Sequence, residues 1–231
     1  MNNPELSIII PAYLEADNLK EILPGINKTL DKMNIKSEVM VLDTVMPMDD
    51  TAAICGNNGA RYINRENGND YGDAVRTGIR HAKGCYVIFM DADGSHSPEF
   101  IKNLYDSREG FDVVIASRYV KGGNTENNRL SIIMSLIVNI VYSKFLHLEC
   151  HDVSNSFKLY DRALLKEVYL VSKNFDIVEE ILVKLKKKKK NLKIYEIPYT
   201  FKKRMFGTTK RNLFLFSISY IFTLIKLKFI K

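Results

Sequence analysis

The chain of 231 residues has few cysteines and few histidines. Its three cysteines, Cys55, Cys85 and Cys150, include no C-x-x-C pair. An odd number of thiols without that spacing argues against a disulfide framework and against a zinc ion held by cysteines. The four histidines show no metal-ligand spacing either, and we interpret them as structural. We therefore expect a protein of a reducing, cytoplasmic environment.

Long hydrophobic runs are also missing. The N-terminus passes from Met-Asn-Asn-Pro into a short apolar run at residues 6–10, without the charged and apolar regions of a signal peptide. The tail at residues 212–231 is apolar through Ile225, but its uncharged run is shorter than the roughly 20 residues that span a bilayer. We expect this tail to lie at a membrane interface rather than to cross it.

Basic side chains are the minority in the first half of the chain, and acidic side chains are the minority in the second half. Residues 1–115 carry 11 basic against 18 acidic side chains, whereas residues 116–231 carry 23 against 9. An acidic half suits metal chemistry, and a basic half attracts phosphate, nucleic acid or an acidic lipid surface. The five lysines at 186–190 are interpreted as a solvated helix end, where the helix dipole favours cations.

The first half alternates short apolar runs with amphipathic stretches. The runs predict strands at residues 6–10, 38–42, 62–63, 86–90 and 112–116. Helices are predicted between them, one capped by Asp17, one over residues 70–83 and one opening at Ser97-Pro98-Glu99. This order predicts an α/β fold with a mostly parallel sheet, in which ligands bind at the carboxyl ends of the strands.

After residue 116 the pattern changes. A loop rich in glycine and asparagine precedes an amphipathic helix at 130–148, whose apolar residues suit either the core or a membrane. A strand at 157–160, a helix opening at Asp161, a helix ending in the lysine run and a strand at 194–197 follow. We interpret residues 1–211 as a single domain with a basic, amphipathic C-terminal portion.

Asp91-Ala92-Asp93 is the most informative motif. It follows an apolar run, so both carboxylates come at a predicted strand end, and alternate residues of an extended segment point the same way. Converging carboxylates repel each other unless a hard cation lies between them. Mg²⁺ or Mn²⁺ bound by one or two carboxylates plus substrate phosphates is the common solution. We therefore predict a metal site here, against the alternative of a solvated loop.

Two other strand ends carry candidate binding groups. Pro11, Tyr13 and Glu15 follow the first strand and offer an aromatic face and a carboxylate to a nucleobase and ribose. The alternative is that they only form the entry to a helix. Asp43 ends the second strand, where it suits either a base N–H group or an ordinary turn.

In this order, the segments resemble the family 2 glycosyltransferases of the GT-A fold, and within them the dolichyl-phosphate mannose synthase branch. The resemblance covers nearly the whole chain. Residues 11–18 resemble the motif P-x-Y-N-E-x-x-N, and residues 43–51 loosely resemble D-D-x-S-x-D-x-T. Residues 67–78 resemble N-x-G-x-G-x-A, and residues 90–98 resemble M-D-A-D-L-S-H-x-P. Residues 117–119 match S-R-Y, 152–158 D-x-T-S-G-F-R and 203–210 R-x-x-G-x-S-K. Leu14, Thr44, Ser156 and Lys158 depart from these motifs, replacing asparagine, aspartate, glycine and arginine.

The resemblance implies a Rossmann-like GT-A domain that transfers a sugar, mannose or glucose, with inversion from a GDP- or UDP-sugar to a polyprenyl phosphate. The nucleotide sugar is expected to bind residues of the half 1–115: Pro11, Tyr13, Glu15, Asp43, Asp91, Ala92 and Asp93. Mg²⁺ or Mn²⁺ is expected on Asp91, Asp93 and Ser95. The acceptor phosphate is expected to bind residues of the half 116–211, because arginine matches phosphate oxygens: Ser117, Arg118, Arg129, Arg204 and Lys210. Asp91, Asp93 and Arg118 are the expected catalytic residues, at the cytosolic face of a membrane.

Three alternatives remain open at this point. The acceptor could be a saccharide or protein hydroxyl, as in much of the wider family. The chain could be a basic nucleic-acid-binding protein, although its lysines are not interleaved with stacking aromatics and its acidic half has no role there. Thr44 and Ser156 also leave room for a catalytically inactive relative. Since Asp43, Asp91 and Asp93 are all present, we expect an active enzyme without a nucleic-acid partner.

Overall fold

A central sheet of seven strands organises the protein. A computed structural model of the chain describes residues 3–207 together with Thr223, Leu224 and Leu227. In chain order the strands are β1 (Leu6–Pro11), β2 (Ser37–Asp43), β3 (Arg61–Asn64), β4 (Tyr86–Phe89), β5 (Val113–Ser117), β6 (Asn124–Thr125), β7 (Lys158–Asp161), β8 (Ile194–Pro198) and β9 (Thr200–Phe201). The sheet order is β3-β2-β1-β4-β7-β5-β8, and only β7 runs antiparallel to its neighbours. The short strands β6 and β9 pair separately.

Seven helices in the described part of the chain flank this sheet. They are α1 (Ala16–Met33), α2 (Thr51–Asn57), α3 (Tyr71–His81), α4 (Phe100–Asp106), α5 (Arg129–Phe145), α6 (Arg162–Lys166) and α7 (Ile177–Lys188). The seven strands predicted from the sequence are all present in the sheet, within one or two residues at their ends. The expected mostly parallel α/β architecture is therefore confirmed.

Only some of the predicted helix starts agree with the structure. The helices predicted over residues 70–83 and from Asp161 are present as α3 and α6. Asp70 and Asp161 cap them, because their carboxylates accept backbone N–H groups of the first turn. Asp17 does not cap α1, so that prediction is wrong. Helix α1 begins one residue earlier, and its Ala16 N–H donates to the Asp49 carboxylate at 3.0 Å. Helix α4 begins at Phe100 rather than at Ser97, after a turn closed by backbone hydrogen bonds.

The two faces of the sheet bury separate hydrophobic clusters. Successive side chains of a strand point to opposite faces, so Ile9 of β1 lies in one cluster and its neighbours Ile8 and Ile10 in the other. The Ile9 side packs against α3, α5, α6 and α7, and the other side packs against α1 and α4. Burial on both faces explains the nearly continuous apolar runs in the sequence.

The apolar tail lies mostly outside the described residues. Leu227 is buried and Leu224 packs against the cluster on the Ile9 side of the sheet. At these positions the tail contacts the domain, and its expected interfacial position stays a prediction. Within the described residues, no helix combines the length and apolar character needed to cross a membrane.

The sheet order brings the candidate residues together. Strands β2, β1 and β4 are parallel neighbours, with Pro11 opposite Leu42 and Ile9 opposite Phe89. Their carboxyl ends therefore form one edge of the sheet, where Asp43, the segment after Pro11 and Asp91 follow one another.

Candidate active site

Asp91 and Asp93 lie at the carboxyl end of β4, each with about a fifth of its side chain exposed. Asp91 Oδ1 accepts hydrogen bonds from Ser156 Oγ at 3.0 Å and Tyr71 Oη at 3.4 Å. Asp93 Oδ1 accepts from both the backbone N–H and the hydroxyl of Ser95, at 3.0 and 2.6 Å. One oxygen of each carboxylate is thus fixed by hydroxyl donors at a sheet edge.

The residues just after this motif hold it in place. Ser95 is buried, and its hydroxyl orients Asp93; its expected role as a metal ligand stays a prediction. His96 is fully buried, its ring stacks on Phe157, and its Nδ1 accepts the Asp91 N–H at 2.9 Å. Burial lowers the pKa of His96 against the opposing effect of Asp91. The imidazole is therefore neutral and has a structural role, in line with the sequence interpretation.

A strap formed by residues 202–207 crosses over the motif. The Met205 N–H donates to the Asp93 carbonyl at 2.9 Å, and the Met205 side chain lies where a Cβ on residue 94 would be. Gly94, with φ of 80°, permits this close approach. Arg204 of the strap pairs with Glu15 and, at 3.4 Å, with Asp93 Oδ2. Arg204, expected at the acceptor phosphate, thus lies against two acidic residues of the donor side.

The nucleotide-binding candidates lie along the same edge. Asp43 is buried, and its Oδ2 accepts from the Tyr62 hydroxyl at 3.0 Å. Tyr13 follows β1, the strand next to the one that ends in Asp43. It is 38% exposed and presents an aromatic face. Arg65, which follows β3, is buried and donates to the Ala12 carbonyl. Burial lowers the pKa of Arg65, whereas Asp43 raises it.

Leu14, which replaces the asparagine of the motif, has a left-handed backbone. Its φ is 55°, a conformation that costs a non-glycine residue about 1–2 kcal/mol and that asparagine tolerates better. Its side chain is 42% exposed, so little burial is lost on replacement. We expect Leu14→Asn to raise the free energy of unfolding by about 1 kcal/mol. Urea unfolding measures this change, and Tyr13→Asn is the control, because its φ is not positive. A destabilised Leu14→Asn protein contradicts the prediction.

The acceptor candidate Arg118 is held by Asp152. The Asp152 carboxylate is fully buried and accepts from Arg118 N, Nε and Nη2 at 2.9, 2.8 and 2.6 Å. Arg118 Nη2 also donates to Ser154 Oγ at 3.0 Å. The guanidinium is therefore fixed in direction, with 9% of the side chain exposed. Such charge-assisted, bidentate pairs define geometry well.

Helix α5 is tied to this arginine by its inner face. The buried Asn139 donates to Ser154 Oγ at 3.1 Å and accepts the Ser154 N–H at 3.0 Å. The outer face is apolar and exposed, at positions spaced by three or four residues: Ile133, Leu136, Ile137, Ile140, Val141 and Phe145. One helix thus joins the Arg118 site to an exposed apolar surface.

The remaining acceptor candidates are Ser117, Arg129 and Lys210. Ser117 is buried at the end of β5, where its carbonyl accepts from the Tyr199 N–H. Arg129 begins α5 and is exposed. Lys210 lies outside the described residues. The roles proposed for these side chains in binding phosphate stay predictions.

Several residues of this arrangement were not identified from the sequence. Tyr71 contacts Asp91 and Asn139 contacts Ser154 through side-chain hydrogen bonds, and nothing in their local sequence marks them. Arg65 follows a predicted strand, so the rule that ligands bind at strand ends could have selected it. Lys158 replaces a motif arginine and is fully buried, donating to the Val153 carbonyl at 2.9 Å and to the Asn155 carbonyl. Burial lowers its pKa to about 8.

Asp91 and Asp93 suit a hard divalent cation. Both offer carboxylate oxygens at a partly open sheet edge, and no described residue donates a hydrogen bond to Asp91 Oδ2. Among the residues that the structure describes, no three His, Cys, Asp or Glu side chains form a closed metal cluster. An open site of two carboxylates fits Mg²⁺ or Mn²⁺, which keep waters and substrate phosphates among their ligands.

Comparison with known proteins agrees with this geometry. The family model described as glycosyl transferase family 2 matches residues 7–169. A dolichol-phosphate mannosyltransferase of Pyrococcus furiosus is 31% identical over 89% of this chain and 59% of its own length. A polyprenol monophosphomannose synthase of Mycolicibacterium smegmatis is 30% identical over 89% of this chain and 80% of its own. The chain therefore spans less than two thirds of the Pyrococcus protein.

Solved structures share the fold. Glucosyl-3-phosphoglycerate synthase from Mycobacterium tuberculosis, crystallised with Mn²⁺, uridine diphosphate and phosphoglyceric acid, superposes with a TM-score of 0.75. It is 18% identical, and the alignment covers 99% of this chain and 80% of the other. At that identity the likeness supports the fold alone.

The mostly parallel sheet, with paired carboxylates at the end of β4, defines a glycosyltransferase domain of the GT-A class. The match over residues 7–169 makes the assignment specific. The chain belongs to glycosyl transferase family 2, and the resemblance to its dolichyl-phosphate mannose synthase branch is confirmed.

Proposed function

We propose that the chain transfers a sugar, mannose or glucose, with inversion from a GDP- or UDP-sugar to a polyprenyl phosphate. The observation that carries this proposal is the position of Arg118. Asp152 fixes its guanidinium in direction, and Ser154 joins it to Asn139 on α5. A cation that suits a phosphate therefore lies on the inner side of a helix whose outer side is apolar and exposed.

This combination matches an acceptor with a charged head and a hydrocarbon chain. Arginine binds phosphate oxygens through planar, directed N–H groups. The exposed face of α5 offers apolar side chains over three turns, such as Ile133, Ile137 and Phe145. A free sugar or a protein hydroxyl needs no such surface. The Pyrococcus relative is a dolichol-phosphate mannosyltransferase and the Mycolicibacterium relative is a polyprenol monophosphomannose synthase, which supports the same acceptor class.

The same face supports a peripheral position on a membrane. An amphipathic helix buries its apolar side at the boundary of headgroups and acyl chains, and basic residues nearby gain about 1 kcal/mol each near an anionic surface. Arg129 at the exposed start of α5 and Lys144 near its end are placed for that contact. We propose that this face docks at the cytosolic side of a membrane.

On the donor side, we propose that Asp91 and Asp93 hold Mg²⁺ or Mn²⁺ together with the diphosphate of the nucleotide sugar. When bound, the cation neutralises the charge that develops on the departing diphosphate. Tyr13, Glu15 and Asp43 lie where they can orient the nucleoside, Tyr13 through its exposed ring. Asp91 and Asp93 position the donor for attack by the acceptor.

No side chain needs to act as an indispensable base in this reaction. The second pKa of a phosphate monoester is about 6, so the acceptor is largely dianionic near neutral pH and already nucleophilic. A hydroxyl acceptor would need a positioned base. Asp152 is poorly suited to that role, because both of its oxygens accept hydrogen bonds from Arg118.

We expect the purified protein with Mn²⁺ to transfer sugar to a short polyprenyl phosphate and not to the polyprenol of equal length. A panel of labelled GDP- and UDP-sugars, with extraction of the lipid product, measures both rates and identifies the donor. Omission of the metal and addition of a chelator are the controls. Transfer to the alcohol at a comparable rate favours a hydroxyl acceptor and contradicts the proposal. So does an absence of transfer from every donor.

A further inference from the structure

Ser156 departs from the family motif at a position next to the candidate metal ligand Asp91. The motif has glycine at this position, which has no side chain. Here the Ser156 hydroxyl lies 3.0 Å from Asp91 Oδ1 and is 8% exposed. The departure thus adds a hydrogen-bond donor directly to one of the two carboxylates that fit a divalent cation.

The segment around Ser156 is firmly held. The Asn155 side chain donates to the Ala116 carbonyl at 2.6 Å and accepts the Phe157 N–H at 3.2 Å. The buried Lys158 ammonium donates to the Val153 and Asn155 carbonyls. Because the backbone is fixed on both sides of residue 156, the position of its Cβ is set by the fold, and the hydrogen bond to Asp91 Oδ1 selects the rotamer of the hydroxyl.

A second donor reaches the same oxygen from another element. Tyr71, the first residue of α3, lies with its hydroxyl 3.4 Å from Asp91 Oδ1, and its ring stacks on Phe175 with centroids 4.1 Å apart. Two hydroxyl groups therefore converge on Oδ1. No described residue donates a hydrogen bond to Oδ2, and the Nε2 of the buried His96 lies 3.9 Å from it, beyond hydrogen-bond distance. This arrangement orients the carboxylate and leaves Oδ2 as its available ligand atom.

We propose that Ser156 is a positioning residue, which presents Asp91 Oδ2 to the divalent cation by holding Oδ1. This inference rests on the metal site of the proposed function. Hydrogen-bond partners of metal ligands fix the ligand before the ion arrives, and their loss typically costs 10- to 100-fold in metal affinity. Because Tyr71 remains as a second donor, the loss of Ser156 alone belongs at the lower end of that range.

The segment also joins the two halves of the site. Asp152, at its start, fixes Arg118, and Ser156, four residues later, contacts Asp91. Ser154 lies between them and contacts Arg118 and Asn139. Ser154 therefore provides a matched control in the same segment, since its hydroxyl serves the acceptor side only.

The test measures Mn²⁺ binding without acceptor and without turnover. The electron paramagnetic resonance signal of free Mn²⁺ is titrated with protein at saturating GDP or UDP, whichever binds the wild type. We expect Ser156→Ala to raise the Mn²⁺ dissociation constant about tenfold, Ser156→Thr to restore it, and Ser154→Ala to leave it unchanged. Alanine suits the site because the φ of residue 156 is not positive.

The outcomes separate the inference from the proposed function. If the wild type does not bind Mn²⁺ with either nucleotide, the metal site itself is wrong. If the wild type binds and Ser156→Ala binds equally well, only the positioning role is wrong. An equal loss in Ser154→Ala would show a general disturbance of the segment and also overturn it. Thermal unfolding without metal checks that each variant is folded. If Ser156→Ala does not fold, Tyr71→Phe is tested in its place, because it removes the other hydroxyl donor to Asp91 Oδ1. We expect it to give a similar loss of Mn²⁺ affinity.

Discussion

Replacing Asp93 with alanine is expected to lower kcat/KM for sugar transfer about 10³-fold, equivalent to ~4 kcal/mol of transition-state stabilisation. Asp93 offers a carboxylate at the end of β4 that Ser95 orients through two hydrogen bonds. Its removal takes away half of the protein ligands that fit the cation, and the cation stabilises the leaving diphosphate. Steady-state rates with the nucleotide sugar, Mn²⁺ and polyprenyl phosphate measure the effect.

A thermal-shift experiment shows whether the loss concerns metal and nucleotide. We expect the wild type to be stabilised by nucleoside diphosphate and Mn²⁺ together and only weakly by either alone, since the diphosphate supplies ligands that the protein lacks. Asp93→Ala should lose the joint shift. Asp106→Ala is the matched control, because that aspartate makes only an exposed pair with Lys102. An equal joint shift in Asp93→Ala would contradict the metal assignment.

The Asp93 variant also changes the strap at residues 202–207. Arg204 pairs with both Asp93 and Glu15, so the mutation leaves it with one carboxylate. Partly exposed ion pairs of this kind contribute little, typically below about 1 kcal/mol. The thermal midpoint of the protein without ligands should therefore move little, and a large drop would mean that the activity loss reflects unfolding.

Much of the fold could be predicted because its signals are local. Each buried strand of a parallel sheet is a short apolar run, and the helices between the runs have their own start residues. Helices were predicted to begin at Asp70 and at Asp161, and the structure shows that these residues cap α3 and α6. The Asp91-Ala92-Asp93 motif was selected in the same way, since both carboxylates follow such a run directly.

The errors have a common physical cause in contacts between distant residues. Asp17 looked like the cap of α1, but Asp49, from the loop after β2, accepts the first N–H of that helix. The short strands β6 and β9 were missed because each depends on the other, with Asn124 opposite Thr200. Short runs of two residues carry no periodic signal of their own.

The contacts within the site follow the same rule. The family resemblance implied that Arg204 binds the acceptor phosphate, and this role stays a prediction. In the structure Arg204 reaches Glu15 and Asp93, far earlier in the chain. The pairing of Arg118 with Asp152 also depends on β5 and β7 lying side by side. Residue type suggested candidates for the site, and only the fold determines which of them lie together.

The second large effect is expected at Arg118. Arg118→Ala should lower kcat/KM for polyprenyl phosphate by about 10²–10³-fold, the usual cost of removing one fixed donor that stabilises charge in a reaction. Asp152→Asn keeps an oxygen that can accept one hydrogen bond from Arg118 but loses the charge, so we expect a smaller loss, about tenfold. The free energy of unfolding of the Asp152→Asn variant should fall by about 3 kcal/mol, because the buried guanidinium of Arg118 loses its partner charge.

The double variant tests whether the two residues act as one unit. If Asp152 matters only because it holds Arg118, then Arg118→Ala with Asp152→Asn should be no worse in kcat/KM than Arg118→Ala alone, since contacting residues are not additive. If Asp152 were instead a base for a hydroxyl acceptor, its replacement by asparagine alone would abolish transfer in a folded protein. It would also leave a pH profile without the rise that a titrating base produces. The hydrogen bonds that Asp152 accepts from Arg118 N, Nε and Nη2 favour the first outcome. A carboxylate whose two oxygens are already engaged by a guanidinium has little capacity to take a proton from a substrate.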